Sequence, residues 1–109
     1  MWLHAGMDAV HDNGPTIDLG GQVALVTGAS SGLGRHFAVL LAANGARVVA
    51  TGRRVERLSE VADEISAAGG TCLPLQLDVT DAEQLVDVVS TAEAQLGPVQ
   101  ILVNNAGIP

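Results

Sequence analysis

The sequence predicts a doubly wound α/β fold on a parallel sheet, and three observations predict it. Short apolar runs alternate with amphipathic stretches, giving strand, helix, strand, helix, strand, helix, strand. Each amphipathic stretch closes on a turn signal, at Asn44-Gly45, Gly69-Gly70 and Gly97-Pro98. Right-handed crossovers between such strands give a parallel sheet with helices on both faces. The four strands are expected in the order 3-2-1-4, truncated after the fourth.

The first strand is Val23-Ala24-Leu25-Val26-Thr27, a nearly unbroken apolar run of the kind buried on both faces. A glycine-rich turn follows. Leu33, Phe37, Leu40 and Leu41 then recur at helical spacing and are expected to face the sheet. The second strand runs from Arg47 to Thr51. The second helix is expected from about Arg54 to Ala68, with Val55, Leu58, Ala62 and Ile65 on its inner face. Thr71 to Leu77 reads as the third strand. Thr80-Asp81-Ala82-Glu83 has the spacing of a capping box, which starts a third helix carrying Leu85, Val88, Ala92 and Leu96 inward. Gln100 to Asn104 is the fourth strand. Its Ile101-Leu102-Val103 is buried in character yet would lie on a bare edge, so a longer parent chain or a partner is expected to cover it. Residues 1–18 are read as a flexible N-terminal tail, within which Met7 is an alternative start and Trp2 a lone aromatic, and 19–109 as the half-domain.

Composition narrows the function. Five Lys+Arg against 12 Asp+Glu give a net charge of −7, which argues against a nucleic-acid partner. No apolar run approaches the roughly 18 residues of a membrane span. All five basic residues are arginines, Arg35, Arg47, Arg53, Arg54 and Arg57, in a stretch whose one acid is Glu56. With no lysine and no tyrosine, the 109 residues hold no Schiff-base amine, P-loop lysine or phenolic proton donor. The single cysteine, Cys72, excludes an internal disulfide and suits a reducing, cytoplasmic setting, where it reads as a small apolar filler. His36 has no partner at metal-ligand spacing, so neither a metal site nor a catalytic role is assigned to it.

The glycine-rich turn carries the chemistry. Thr27-Gly28-Ala29-Ser30-Ser31-Gly32-Leu33-Gly34 joins the first strand to its helix. Glycines permit the tight turn and let a phosphate reach the amides at the helix N-terminus, where the helix dipole also favours an anion. Read alone, the spacing fits either that role or a plain strand-to-helix connection.

With its flanking context the chain resembles the short-chain dehydrogenase/reductase family of nicotinamide enzymes. The Thr-Gly-x-x-x-Gly-x-Gly loop stands at Thr27 to Gly34, Asp78-Val79 follows the third strand, and Asn104-Asn105-Ala106-Gly107 follows the fourth. The likeness runs from about Leu19 to Ile108 and implies a Rossmann-type fold. It implies that Thr27, Gly28, Ser30, Ser31, Gly32, Leu33 and Gly34 cradle a dinucleotide pyrophosphate. It implies further that Asp78 accepts from the adenine amino group while the Val79 backbone reads the ring edge. Asn105, Ala106 and Gly107 would line the ribose and brace the strands. Asp78 also reads as a helix-entry residue, and Asn and Gly also suit a plain strand-ending turn.

The end of the second strand distinguishes the two nicotinamide cofactors. An acid there would bind a ribose 2′-hydroxyl and repel a 2′-phosphate. Thr51-Gly52-Arg53-Arg54 stands there instead, so NADP(H) is preferred over NAD(H), with Arg53 the main ligand and Ser30, Ser31 and Arg54 assisting. A solvated helix start is the alternative. By resemblance, the Ser-Tyr-Lys proton-transfer set would lie beyond Pro109, so no catalytic residue is assigned and the chain alone is expected to be inactive. The expected function is the dinucleotide-binding part of an oxidoreductase interconverting an alcohol and a ketone or aldehyde, whose full-length parent is a homo-oligomer. The other reading is a non-catalytic nucleotide-binding or interaction module, or an inactive gene fragment.

Overall fold

The computed structural model describes residues 2–4 and 18–105. Along the chain they form β1 (Trp2–His4), β2 (Val23–Val26), α1 (Gly32–Ala43), β3 (Arg47–Gly52), α2 (Val55–Ala67), β4 (Thr71–Gln76), α3 (Ala82–Leu96) and β5 (Val99–Asn104). All strands pair in parallel, in the order β1-β5-β2-β3-β4. The four strands expected from the sequence are β2 to β5, and their spatial order β4-β3-β2-β5 is the predicted 3-2-1-4.

The two faces have separate cores. On one, α1 and α2 close over Val26, Val48 and Ile101 with Phe37, Leu41, Leu58 and Ile65. On the other, α3 places Val88 and Ala92 against Val23, Leu25, Val49 and Leu77. The β2 side chains are buried at all four positions, as a central strand covered on both faces requires. Pro74 lies in β4, the outer strand beside β3, where its missing N–H leaves no ladder bond unmade on an inner strand.

Phe37, Leu41, Leu58, Ile65, Val88 and Ala92 are buried as expected, whereas the inward positions assigned to the first turns of the helices are not. The buried side of α1 is Gly34, Phe37, Ala38 and Leu41, while Leu33 is exposed. The buried side of α2 is Leu58, Val61 and Ile65, while Val55 is exposed. On α3, Leu85 is likewise exposed. Small residues, which a hydrophobicity pattern undervalues, sit where α1 approaches the sheet. In β5, Ile101 and Val103 are buried and Leu102 is 37% exposed, because alternate side chains of a strand face opposite sides.

The expected tail and the expected bare edge both change. Trp2–His4 runs as a strand along β5, with Trp2 opposite Leu102 and His4 opposite Asn104. Three residues are too short to carry a strand signal, but they pair backbone groups that β5 would otherwise present unpaired. The rest of the expected tail, 5–17, lies outside the described residues.

Cys72 lies in β4, packed against the α1/α2 core. Burial pushes its thiol up to about 11, offset in part by a hydrogen bond with the Ala50 backbone. At neutral pH the thiol is protonated, and its alkylation by iodoacetamide is expected to run roughly a hundredfold slower than in urea-unfolded chain. Mass spectrometry reads the two rates, and equal rates would remove the burial assignment.

Candidate functional site

The glycine-rich turn is built on the ends of three strands. The Thr27 amide donates to the Val103 carbonyl (3.0 Å) and the Ala29 amide to the Thr51 carbonyl (2.9 Å), tying the turn to β5 and β3. The Thr51 hydroxyl, fully buried, donates to the Val26 carbonyl (2.9 Å). Gly28 and Gly32 have φ of 63° and 60°, which a side chain at Cβ disfavours. Gly34 is demanded by close approach instead, because a Cβ there would stand 2.0 Å from the Gly28 carbonyl oxygen and 2.6 Å from Asn105 Nδ2.

Thr27 and Asn105 join the turn to the motif after β5. The Asn105 amide donates to Thr27 Oγ1 (2.9 Å), and Asn105 Nδ2 donates to the Gly28 carbonyl (3.2 Å). The Thr27 hydroxyl itself lies 3.4 Å from the Val103 carbonyl and 3.3 Å from Asn104 Oδ1. Thr27, Gly28, Gly34 and Asn105 therefore form one locked unit, although the two segments are more than 70 residues apart in sequence. Ala106 and Gly107 lie outside the described residues.

At the N-terminus of α1, Ser31 is the cap residue but makes no side-chain capping bond, and the first turn holds no acid. By contrast, α3 is capped by Asp81, which accepts from the Gln84 amide (3.1 Å), and has Glu83 in its first turn. The dipole of α1 is thus uncompensated by side chains at the end that meets the turn. The capping box expected at Thr80 is displaced by one residue. Thr80 lies in the turn before the cap, where its hydroxyl and amide both donate to Asp78 Oδ1 (2.7 and 3.0 Å).

Those two bonds hold the Asp78 carboxyl below the usual carboxylate range, the Thr80 hydroxyl contributing most, then the Thr80 amide, with a smaller contribution from Arg53. Asp78 is ionised at neutral pH. A depressed pKa stabilises the fold above the ordinary carboxylate range, and that contribution is lost as pH falls below it. Both Thr80 bonds converge on Oδ1, which leaves Oδ2 for a ligand.

These groups line one cleft of about 690 Å³ at the carboxyl ends of the strands. Its walls are Gly28, Ser30, Ser31, Gly52, Arg53, Arg54, Leu77, Asp78, Val79, Thr80 and Asn105. The cleft sits where the strand order reverses about β2, the switch point at which open α/β sheets bind ligands. Of the predicted site residues, Thr27 and Gly34 lie beneath the turn as braces, and Gly32 and Leu33 are exposed outside the lining. Gly52, Leu77 and Thr80 are lining residues that sequence reasoning missed. The Asp-x-Thr spacing at Asp78 is the signal that would have placed Thr80 there.

The arginines do not act as one patch. Arg35 donates to Glu64 on α2 (3.0 and 3.2 Å), a surface pair worth about 0–1 kcal/mol. Arg47 lies at the start of β3, away from the cleft, and reaches the Gly21 carbonyl (3.4 Å). Only Arg53 and Arg54 line the cleft, and Gln76 Nε2 donates to the Arg53 carbonyl (3.3 Å). His36 is exposed beside Phe37, with ring centroids 6.3 Å apart. No helix among the described residues is long and apolar enough to cross a membrane.

A glycine-rich strand-to-helix turn at the switch point of a parallel sheet defines a Rossmann-type, nucleotide-binding class of protein. The model of the short chain dehydrogenase family matches residues 22–109, and the chain belongs to that family. A short chain dehydrogenase of Pseudocercospora fijiensis is 40% identical over 98% of this chain and 37% of its own length. A metagenomic short-chain oxidoreductase, solved in complex with NADP, superposes with a TM-score of 0.78 at 44% identity, covering 83% of this chain and 41% of that one. Actinorhodin polyketide ketoreductase, solved with NADPH, gives 0.77 at 39% identity, covering 81% and 34%. The chain thus spans little more than a third of the length of these relatives.

Proposed function

We propose that this chain is the dinucleotide-binding part of an NADP(H)-dependent oxidoreductase that interconverts an alcohol and a ketone or aldehyde. The observation that carries the proposal is Arg53 at the carboxyl end of β3, on the cleft wall with Arg54, Ser30 and Ser31, where an acid would select NAD(H). The guanidiniums and hydroxyls suit a 2′-phosphate. The uncapped start of α1 suits the pyrophosphate, and the second oxygen of Asp78 suits the adenine amino group. Two solved relatives that hold NADP or NADPH support the same cofactor.

When bound, the nicotinamide supplies or accepts hydride. This segment binds and orients the dinucleotide, with Thr27 and Asn105 keeping the turn rigid. It has no tyrosine or lysine to move a proton, so its contribution to the reaction is cofactor placement in a reducing, cytoplasmic setting.

Fluorescence titration with NADPH and NADH tests the reading. NADPH is expected to bind tighter, and Arg53→Ala to narrow the gap roughly tenfold, the scale of one charged hydrogen bond. Equal affinities in the unaltered chain overturn the cofactor assignment.

A further inference from the structure

We infer that Gln84 is a positioning residue for adenine recognition, acting through the Asp78 backbone; this rests on the reading of Asp78 as the adenine acceptor. Gln84 is the third residue of α3 and does not line the cleft. In a capping box, a glutamine at this position reaches back to the amide of the cap residue. Here that amide, of Asp81, already donates to the Asp78 carbonyl (3.0 Å). The Gln84 side chain reaches three residues further, and its Oε1 accepts from the Asp78 amide at 2.5 Å.

The result is a closed set of bonds around one residue of the cleft wall. Asp78 donates its amide to Gln84, accepts at its carbonyl from Asp81, and accepts at Oδ1 from both Thr80 donors. Gln84 is in turn fixed by its own amide bond to Asp81 Oδ1 (3.1 Å). Helix α3 therefore serves as the anchor for the Asp78 carboxylate, and Gln84 is the link. A ligand-facing carboxylate held on both its backbone groups discriminates more sharply than one free to turn, because less ordering is left for binding to impose.

The discriminating measurement compares NADPH with its hypoxanthine analogue, in which the adenine amino group is replaced by a carbonyl oxygen. The unaltered chain is expected to favour NADPH roughly tenfold, Gln84→Leu to lower that preference to about twofold, and Gln84→Glu, which keeps an acceptor, to restore it. Hydrogen exchange supplies a readout that needs no ligand and no variant, since the Asp78 amide should be protected in the unaltered chain. An undiminished preference in folded Gln84→Leu, or an unprotected Asp78 amide, overturns the role of Gln84 and leaves the cofactor reading intact. An unaltered chain that binds both dinucleotides equally overturns the Asp78 assignment and the inference with it. Failure to bind NADPH at all removes the cofactor reading too.

Discussion

Gly34→Ala is expected to destabilise the fold by about 3 kcal/mol and to abolish dinucleotide binding, the largest effect of any single methyl group added to the turn. The added Cβ would meet the Gly28 carbonyl oxygen at 2.0 Å, the Gly28 carbonyl carbon at 2.7 Å and Asn105 Nδ2 at 2.6 Å. Two of those atoms are backbone, so no side-chain rotation relieves the overlap. Either α1 slides outward, which opens the core at Phe37 and Ala38, or the turn moves off Asn105. Both routes disturb the cleft.

Gly32→Ala is the control, because its Cβ would meet nothing within 4 Å and the cost is the positive φ alone, about 1–2 kcal/mol. Urea unfolding followed by circular dichroism separates the two. A loss of 3 kcal/mol is a large share of the roughly 5–15 kcal/mol that holds a small domain together. An unfolding midpoint for Gly34→Ala equal to or above that of Gly32→Ala would show that the turn relaxes without strain.

The contrast between these glycines also shows what was legible in the sequence. The parallel, doubly wound architecture was legible because it follows from the alternation of apolar runs with helical stretches and from crossover handedness, neither of which depends on exact boundaries; those two rules also allow a 2-1-3-4 order, and the strands adopt the expected 3-2-1-4. The strand-to-helix turn was legible because three closely spaced glycines mark a tight backbone, and the structure has positive φ at Gly28 and Gly32 and close approach at Gly34. The inner face of α1 was legible in part. Of Leu33, Phe37, Leu40 and Leu41, Phe37 and Leu41 are buried, whereas Gly34 and Ala38 fill the rest of that face because the helix approaches the sheet too closely there for a leucine.

Charge was harder to read than hydrophobicity. Arg35 and Arg53 belong to one basic stretch, but Arg35 finds Glu64 on the neighbouring helix while Arg53 lies at a strand end with the cleft open beside it. That partner is 29 residues away in sequence, and spacing carries no sign of it. The cap of α3 failed for a local reason. Thr80 and Asp81 are both good caps; two bonds to Asp78 Oδ1 fold Thr80 into the turn before the helix, and α3 starts one residue later with Asp81 accepting from the Gln84 amide.

Thr27→Val is expected to cost about 2 kcal/mol, more than Thr27→Ser, although valine keeps more of the buried apolar surface. Thr27 is 4% exposed, and its hydroxyl oxygen is the acceptor for the Asn105 amide (2.9 Å). Valine replaces that oxygen with a methyl group and leaves the partly buried amide unpaired. Serine keeps the oxygen and loses one methyl, about 0.8 kcal/mol of burial. The ordering therefore decides between two accounts of the residue. If Thr27 merely fills space between β2 and β5, serine is the worse substitution. If it locks the turn to the segment after β5, valine is the worse one and also weakens NADPH binding, because Asn105 then loses one of the two bonds that hold it beneath Gly28. Paired urea unfolding and NADPH titration of both variants measure each consequence separately, and a valine variant as stable as the serine one would reduce Thr27 to a packing residue.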